Sequence, residues 1–201
     1  MVTEKRQNPW IRRRRKEAQS VNMAENEKKQ APAKSDKPGK ETQAPEEGAY
    51  FPLFFSLKEK TVLVVGAGKI AARRALSLAE FEANVLVIAP DGAGQMDEMA
   101  REGMVRWEKR HFEDRDVEGC WLAVAATDDP AVNEQVVRLC RERRILVNHA
   151  GDKSQCDFYF PGTARDGNLV VGVTASGKDH RLAAQATRQL KVWIKQLHKE
   201  N

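Results

Sequence analysis

Residues 61–75, TVLVVGAGKIAARRA, constrain the fold of this chain more than any other stretch. The first five are mostly aliphatic and β-branched, which is typical of a strand buried on both faces of a parallel sheet. Residues 66–68, Gly-Ala-Gly, predict a tight turn, and helix-forming residues continue over 69–80. This order predicts a strand–turn–helix unit. The expected apolar stripe of its helix consists of Ile70, Leu76 and Ala79.

The turn has the spacing G-x-G-x-x-A, with Gly66, Gly68 and Ala71 at the fixed positions. The first glycine permits the turn, the second lets the backbone approach a pyrophosphate, and the small third residue lets the helix pack closely on the strand. The positive end of the helix dipole then faces the phosphates. The pattern favours a dinucleotide site, although a glycine turn in an α/β protein that binds no nucleotide has the same spacing.

Strand and helix patterns alternate from this turn to residue 148. Their spacing is typical of right-handed crossovers, and it predicts an α/β fold with a Rossmann-like, doubly wound parallel sheet. Pro130 begins one of the helices, where its missing N–H costs nothing. The predicted strands cover residues 84–89, 104–109, 121–126 and 145–148, and the predicted helices cover 95–102 and 130–142.

The pattern changes after residue 150, where strand-like runs at 158–164 and 169–174 flank the turn sequence Arg-Asp-Gly-Asn. These runs predict a β-hairpin, and an amphipathic helix follows over 180–197. A hairpin and one helix cannot enclose a core, so they must pack on the nucleotide domain or on a second copy of the chain; we expect a homodimer. The expected apolar face of the helix consists of Leu182, Ala186, Leu190, Trp193 and Leu197.

Composition separates residues 1–48 from the rest of the chain. They hold 12 of the 34 Lys and Arg residues and 8 of the 29 Asp and Glu residues, so most of the net charge of +5 belongs to them. They have almost no apolar periodicity, which predicts a disordered tail. Trp10-Ile11 and the basic run 12–16 either touch nucleic acid or an anionic membrane surface, or stay solvated; we expect solvation, with no nucleic-acid or membrane partner.

Two domains are expected after the tail: a nucleotide-binding domain over residues 49–150 and a dimerisation and substrate segment over 151–201. The first begins with the strongly apolar residues 50–55, YFPLFF, which we expect to pack against the sheet edge.

Three cysteines, Cys120, Cys140 and Cys156, are too few and too scattered for a disulfide framework or a metal cluster, so no metal site is predicted. Such cysteines fit a reducing cytoplasm. No apolar run approaches the length of a membrane span, and the amino terminus lacks the apolar core of a secretory signal. We therefore expect a cytoplasmic protein.

Ligands of a doubly wound sheet bind at the carboxyl ends of its strands. That rule brings the glycine turn, residues 89–91, Thr127-Asp128 and residues 148–152 to one rim. Asp91 stands near the position where an acid usually holds the ribose hydroxyls, and the lack of a following arginine favours NAD over NADP. Thr127 and Asp128 either contact the cofactor or cap the next helix.

Six short motifs recur here in an order that resembles one family. They are YFPLF at 50–54, VLVVGAG at 62–68, AATDD at 125–129 with Asn133, VN at 147–148, CDFYFP at 156–161 and ASGK at 175–178. Together, from about Tyr50 to Leu190, they resemble precorrin-2 dehydrogenase, the N-terminal module of siroheme synthases. The resemblance implies NAD-dependent oxidation of precorrin-2 to sirohydrochlorin, on the route to siroheme or another modified tetrapyrrole. Some members of that family also insert the metal ion, and they act as ferrochelatases without a bound metal cofactor.

The resemblance further implies where ligands and partners bind. The family's cofactor contacts fall on Lys69-Ile70 and Pro90-Asp91. Its hairpin and final helices form an intertwined homodimer, and the substrate lies between domains. The family usually continues through a small helical domain, so we expect the substrate pocket of this chain to be open or to be completed by a partner, for instance another enzyme of the tetrapyrrole pathway.

Residues 147–152 depart from the family pattern. They read VNHAGD, where the family usually has V-N-x-x-D-D or V-N-x-x-D-A. Gly151 therefore occupies the place of the aspartate that serves in acid–base chemistry and chelation. Asp152 and His149 remain as candidate catalytic bases. The alternative for His149 is an ordinary loop histidine without a catalytic role. Asn148 is expected to bind substrate. Dehydrogenation depends mainly on cofactor placement and is expected to survive, whereas ferrochelatase activity is doubtful.

Ser176, Lys178 and Arg181 lie at a glycine turn that leads into the last helix, and they are expected to bind the substrate. Such a turn suits a carboxylate-rich tetrapyrrole, for which Lys178 and Arg181 supply positive charge. The family usually has a small hydroxyl residue and then proline at positions 179 and 180. Asp179 opposes an anionic ligand unless a cation pairs with it, and the alternative is that it caps the helix.

Three functions are compatible with these residues. The favoured one is an NAD-dependent precorrin-2 dehydrogenase, an oxidoreductase. The second is a carrier that holds NAD or a tetrapyrrole without turnover, which Gly151 and the missing helices support. The third is a ligand-sensing regulatory domain whose basic tail contacts a partner.

Overall fold

The computed structural model describes residues 50–92 and 94–200, with side chains described as far as Leu197. The predictions for the basic tail, including Trp10-Ile11 and the arginine run, lie outside the described residues. Within the part of the chain that the structure describes, no helix is long and apolar enough to cross a membrane.

Five parallel strands form the central sheet, in the order β3-β2-β1-β4-β5. This order reverses direction at β1, as in the dinucleotide-binding sheets, so the predicted doubly wound fold is confirmed. Val65 is level with Ile88 and Ala125, so the three central strands end at one rim. The strands are β1 (Thr61–Val65), β2 (Asn84–Ile88), β3 (Arg106–Glu108), β4 (Leu122–Ala125) and β5 (Leu146–His149).

Helices cover both faces of the sheet, and alternate strand residues enter two different cores. Val62 and Val64 face α1 (Lys69–Ala79) and α2 (Gln95–Arg101), whereas Leu63 and Val65 face α3 (Pro130–Glu142). Because both faces of β1 are covered, its sequence is an unbroken apolar run without polar alternation.

The face that α1 buries differs from the predicted stripe. Ala71, Ala72, Ala75 and Leu78 are buried, while Ile70 is 47% exposed. Leu76 and Ala79 pack only at the margin of the core. The prediction for Ile70 was wrong because close packing of helix on strand requires small side chains, and the alanines supply them.

A hairpin and a long helix follow the sheet, as predicted. β6 (Gly162–Asp166) pairs antiparallel with β7 (Leu169–Val173), and α4 (His180–Glu200) packs on the hairpin, burying Ala164 and Ile194. At Gly162 any side chain would overlap the hydroxyl of Thr187, so helix and strand are in close contact.

The predicted apolar face of α4 is only partly correct. Ile194, which that face omitted, is buried, whereas Leu182 is 57% and Trp193 is 49% exposed. Thr187 of the helix faces the hairpin at Gly162, where the close approach leaves no room for a larger side chain. Leu182 and Trp193 therefore remain largely outside this contact.

The apolar segment 50–55 is not buried against the sheet edge. Phe51 is 81% exposed and Phe54 is 70% exposed. The Phe55 ring meets Trp121 edge to face at 5.1 Å, and the Tyr50 ring meets Tyr159 at 4.9 Å. These two ring contacts attach the segment, but they leave most of its apolar surface uncovered.

The outer edge of β5 is occupied by side chains of the following loop. The Val147 N–H donates to the Asp157 carboxylate at 2.9 Å, and the His149 N–H donates to the Cys156 Sγ at 3.3 Å. The Asp157 N–H returns a hydrogen bond to the Val147 carbonyl at 2.9 Å. The loop thus provides hydrogen-bond partners for the exposed backbone groups at the edge of β5 without forming a strand itself.

An ion-pair network fixes the loop that follows β3. The Arg110 guanidinium binds both oxygens of Asp116, at 2.6 and 2.7 Å, and it also donates to Glu108 at 2.7 Å. Asp116 is buried. Burial alone would raise the pKa of Asp116, but hydrogen bonds from Arg110 and from the Glu113 N–H hold that pKa below its usual value. The charged pair is therefore well satisfied.

Candidate active site

Gly66 turns the chain between β1 and α1 in a way that only glycine allows. Its φ is +111°, and a Cβ there would overlap the Ala126 carbonyl group, lying 2.7 Å from the carbonyl carbon. The Gly66 N–H also donates to the Ile88 carbonyl at 2.9 Å. The turn is therefore held between the ends of β2 and β4, at the rim of the sheet.

Gly68 stands at the N-cap of α1 and faces open space. A Cβ built at this position meets no atom of the described residues within 4 Å. No side chain of the described residues caps the helix, and the first turn of the helix contains no acidic residue. Lys69 and Ile70 are exposed beside it. Free N–H groups and the positive end of the dipole suit a pyrophosphate, so these residues fit a dinucleotide.

The loop after β2 folds back onto the glycine turn. A Cβ at Gly92 would lie 2.5 Å from the Ala67 Cβ and 2.8 Å from the Trp107 ring, and the Trp107 indole donates to the Ala89 carbonyl at 3.0 Å. This packing places Pro90-Asp91, both exposed, on the same rim as the turn. Gly92 and Trp107 were not predicted to shape this rim; a glycine just after the strand was the available signal.

The end of β4 is held by Asn133, which is buried in α3. Its Oδ1 accepts from the Thr127 N–H at 3.0 Å, and its Nδ2 donates to the Thr127 carbonyl at 3.0 Å. The cap of α3 is Asp129, whose carboxylate accepts from the Ala131 N–H at 2.8 Å. Capping therefore belongs to neither Thr127 nor Asp128, and Asp128 is exposed on the rim.

At the end of β5, Asn148 and His149 lie side by side. Asn148 is 2% exposed; its Nδ2 donates to the Phe158 carbonyl at 2.7 Å, while its Oδ1 is buried and has no partner among the described residues. The His149 Nδ1 accepts from the N–H groups of Gly151 at 3.0 Å and Asp152 at 2.9 Å. The neutral imidazole is therefore the Nε2–H tautomer, which presents a donor rather than an acceptor.

The carboxylate of Asp152 is engaged by its own loop. It accepts from the Ser154 N–H at 2.9 Å, from the Ser154 hydroxyl at 2.6 Å and from the Gln155 amide at 3.3 Å. These hydrogen bonds, those from Ser154 above all, hold the pKa of Asp152 below its ordinary value. Asp152 is therefore an ionised group with reduced proton affinity.

Gly151 has room for a side chain. A Cβ at this position would lie 3.5 Å from the His149 Cε1, an ordinary van der Waals distance. The glycine is therefore not required by the packing of this loop.

The other predicted substrate residues lie before and within the first turn of α4. Lys178 and Arg181 are exposed, and Ser176 adopts φ +54° in the turn. The Asp179 carboxylate accepts from the Leu182 N–H at 2.8 Å, as a helix cap does. Over residues 50–92 and 94–200, no hydrogen bond or ion pair joins Ser176, Lys178 or Arg181 to the sheet rim.

A shallow cleft of about 400 Å³ lies at the opposite end of the sheet. Thr61, Asn84 and Arg106 line it, at the amino ends of β1, β2 and β3. Ligands of such sheets bind at the carboxyl ends, so the rim rather than this cleft is the candidate site. Within the described part of the chain, no group of three His, Cys, Asp or Glu side chains is placed to hold a metal ion.

Comparison with known proteins agrees with this geometry. Siroheme synthase of Pseudomonas entomophila (strain L48) is 39% identical over 145 residues, which are 72% of this chain and 31% of that protein. Siroheme synthase of Nitrosococcus oceani is 34% identical over 149 residues, which are 74% of this chain and 32% of that protein. This chain therefore spans about a third of the length of these relatives.

A solved structure shares the fold as well. The structure of SirC, precorrin-2 dehydrogenase, superposes with a TM-score of 0.59 at 27% sequence identity and covers 71% of this chain and 70% of that one. The model of the family described as "Putative NAD(P)-binding" matches residues 53–162, more than half of the chain. The predicted resemblance to precorrin-2 dehydrogenase and the siroheme synthases is confirmed, and the chain belongs to this NAD(P)-binding family.

Proposed function

We propose that this protein oxidises precorrin-2 to sirohydrochlorin with NAD, on the route to siroheme or another modified tetrapyrrole. The observation on which this depends is the open N-terminus of α1 at Gly68, on the rim where β5 ends in Asn148 and His149. The similarity to SirC, precorrin-2 dehydrogenase, and to siroheme synthases supplies the substrate and the reaction.

The cofactor residues in this proposal follow the rim. Gly66 and Gly68 shape the turn, and the backbone at Lys69-Ile70 binds the pyrophosphate. Pro90-Asp91 borders the adenosine ribose, and the Asp91 carboxylate disfavours the extra phosphate of NADP, which supports NAD. Thr127 and Asp128 border the nicotinamide half, with Thr127 fixed in place by Asn133.

NAD supplies the hydride acceptor, and the protein must provide for the proton that leaves with the hydride. His149 is poorly suited to accept that proton, because both N–H groups of the next loop occupy its Nδ1. Its Nε2–H instead orients an acceptor atom of the substrate. Asp152 is the ionised group that takes the proton, and it does so weakly because Ser154 stabilises its charge.

Metal insertion makes a larger demand on this loop. Placing a divalent ion in the tetrapyrrole displaces two pyrrole protons, and Asp152 is a weak base with Gly151 in place of a second carboxylate. We therefore propose that this protein has little or no ferrochelatase activity.

A homodimer forms part of the proposal. Leu182, Val192 and Trp193 of α4 and Leu169 of β7 are large apolar side chains that are 39–59% exposed. A second copy that covers them would also bring Lys178 and Arg181 towards a substrate between domains. A partner enzyme of the tetrapyrrole pathway is the other candidate for this surface.

A carrier without turnover is the second candidate function. The observation in its favour is that the Nδ1 of His149 and the carboxylate of Asp152 are both engaged in hydrogen bonds. Such a protein would bind NAD and the tetrapyrrole but form no product.

Anaerobic turnover distinguishes the two functions. Precorrin-2 and NAD are incubated with the protein, and the absorbance of sirohydrochlorin is followed before and after Fe²⁺ or Co²⁺ is added. Product that requires NAD establishes the dehydrogenase. Binding of both ligands without product establishes the carrier. Asp152→Asn with unchanged turnover and unchanged precorrin-2 binding would remove Asp152 from the role of base.

A further inference from the structure

Arg74, in the second turn of α1, takes no part in the steps above. Two of its guanidinium nitrogens, Nε and Nη1, are buried and have no hydrogen-bond partner among the described residues. The guanidinium carbon lies 5.2 Å from the centre of the Phe160 ring. Burial lowers the pKa of Arg74, the nearby Cys156 thiol opposes that effect, and Arg73 adds to it. Arg74 is therefore a partly desolvated cation that has no anionic partner among the described residues.

A chain of contacts joins Arg74 to the end of β5. The Phe160 ring lies 5.6 Å from the Phe158 ring, and the Phe158 carbonyl accepts from Asn148. Cys156 donates its thiol to the His149 carbonyl at 3.2 Å. Arg74 thus connects the helix of the glycine turn, on which it lies, through Phe160 and Phe158 to a residue proposed to hold the substrate.

A partly desolvated guanidinium without an anionic partner is energetically unfavourable, and it is well suited to bind one class of ligand. Its donors match the oxygens of a carboxylate or phosphate, and the face of Phe160 offsets only part of the desolvation. The buried Oδ1 of Asn148 is a second unpaired group, and it is an acceptor. A ligand that presents an oxyanion and an N–H would satisfy both, as a pyrrole with acidic side chains does.

We propose that Arg74, supported by Phe160, is an oxyanion-binding subsite of this rim, separate from the pyrophosphate site at Gly68. A tetrapyrrole carboxylate and a cofactor phosphate share the required chemistry. The unpartnered Oδ1 of Asn148, an acceptor for a pyrrole N–H, favours the carboxylate, an assignment that rests on the proposed function.

Arg74→Met tests the subsite, because methionine keeps an apolar stem against Phe160 and removes every donor. Arg73→Met is the matched control, since Arg73 is the exposed neighbour on the same helix. Affinity for sirohydrochlorin is measured by quenching of tryptophan fluorescence, and affinity for NADH by the fluorescence of the nucleotide. Circular dichroism checks folding, and sedimentation gives the oligomeric state.

We expect Arg74→Met to weaken sirohydrochlorin binding about tenfold or more and to leave NADH binding within about twofold. Arg74→Lys should recover part of the loss, and Arg73→Met should resemble the wild type. A loss confined to NADH would instead assign the oxyanion to the cofactor. Unchanged affinity for both ligands in a folded Arg74→Met variant would overturn the subsite, and a weakened oligomer with unchanged affinities would assign Arg74 to the subunit interface.

Failure of the proposed function gives a different result. If the wild type binds NADH but not sirohydrochlorin, the proposed tetrapyrrole substrate is wrong. Citrate then serves as a tricarboxylate probe of the subsite. Citrate should raise the Tm of the wild type and of Arg73→Met more than that of Arg74→Met. Equal rises in all three would overturn the subsite itself.

Discussion

Replacing Gly68 with aspartate should separate the stability of α1 from its capacity to bind a dinucleotide. Position 68 has φ −73° and ψ −179°, which any residue adopts, and a Cβ there meets no described atom within 4 Å. An N-cap aspartate accepts from an N–H of the first turn and faces the positive end of the helix. We expect Gly68→Asp to stabilise the folded state by about 0.5–1 kcal/mol.

The same carboxylate would occupy the position that the proposal gives to the pyrophosphate. Two unit charges about 4 Å apart near a protein surface repel by about 4 kcal/mol. Solvent and salt reduce that value, and the lost N–H contacts add to it. We therefore expect the affinity for NADH to fall at least about 100-fold.

One preparation serves both measurements: titration with NADH, and urea unfolding followed by circular dichroism. Gly68→Asn is the control, because asparagine caps the helix without the charge and should lose less affinity. If Gly68→Asp is more stable but binds NADH within about threefold of the wild type, the dinucleotide does not bind at the N-terminus of α1.

Three further predictions follow from contacts described above. Gly66→Ala places a Cβ against the Ala126 carbonyl at φ +111° and should destabilise the fold by about 2–4 kcal/mol in urea unfolding; a loss below about 1 kcal/mol would contradict the close contact. Asp116→Asn should cost about 2 kcal/mol at pH 7, less than for a fully buried pair because the Arg110 side chain is 31% exposed. The pKa of folded Asp116 lies below its ordinary 3.8, so its contribution to the free energy of unfolding is complete above pH 3.8 and is lost as the pH falls through the folded pKa. The stabilities of the wild type and the variant should therefore converge in acid. An equal difference in unfolding free energy at pH 7 and pH 3 would refute this. Gly151→Asp has room for its side chain and should raise the rate of Co²⁺ insertion into sirohydrochlorin about tenfold or more, measured by absorbance, whereas an unchanged rate would show that the missing carboxylate does not limit chelation.

The three central strands β1, β2 and β4 were predictable because each is a largely apolar run followed by a turn signal. β1 is buried on both faces, so its identity required no knowledge of its neighbours. The cap of α3 was also within reach, since Pro130 at the first helical position marks Asp129, rather than Asp128, as the N-cap.

Other features depend on tertiary contacts that periodicity does not encode. Arg74 appears in the sequence as one of several charges on an amphipathic helix, and only its tertiary contacts, such as that with Phe160, show that part of its guanidinium is buried. The exposure of Phe51 and Trp193 was missed because apolar pattern alone does not say whether a surface is covered within the chain or left open.

The side chains that cover the outer edge of β5 limit how copies of this protein can associate. An edge strand with free N–H groups can accept another strand and start continuous sheet growth between molecules. Here the Asp157 carboxylate and the Cys156 sulfur occupy the outward N–H groups of Val147 and His149. A neighbouring strand would have to displace both side chains before it could pair, so the loop protects this edge against the addition of β-strands from other molecules and against aggregation by that route.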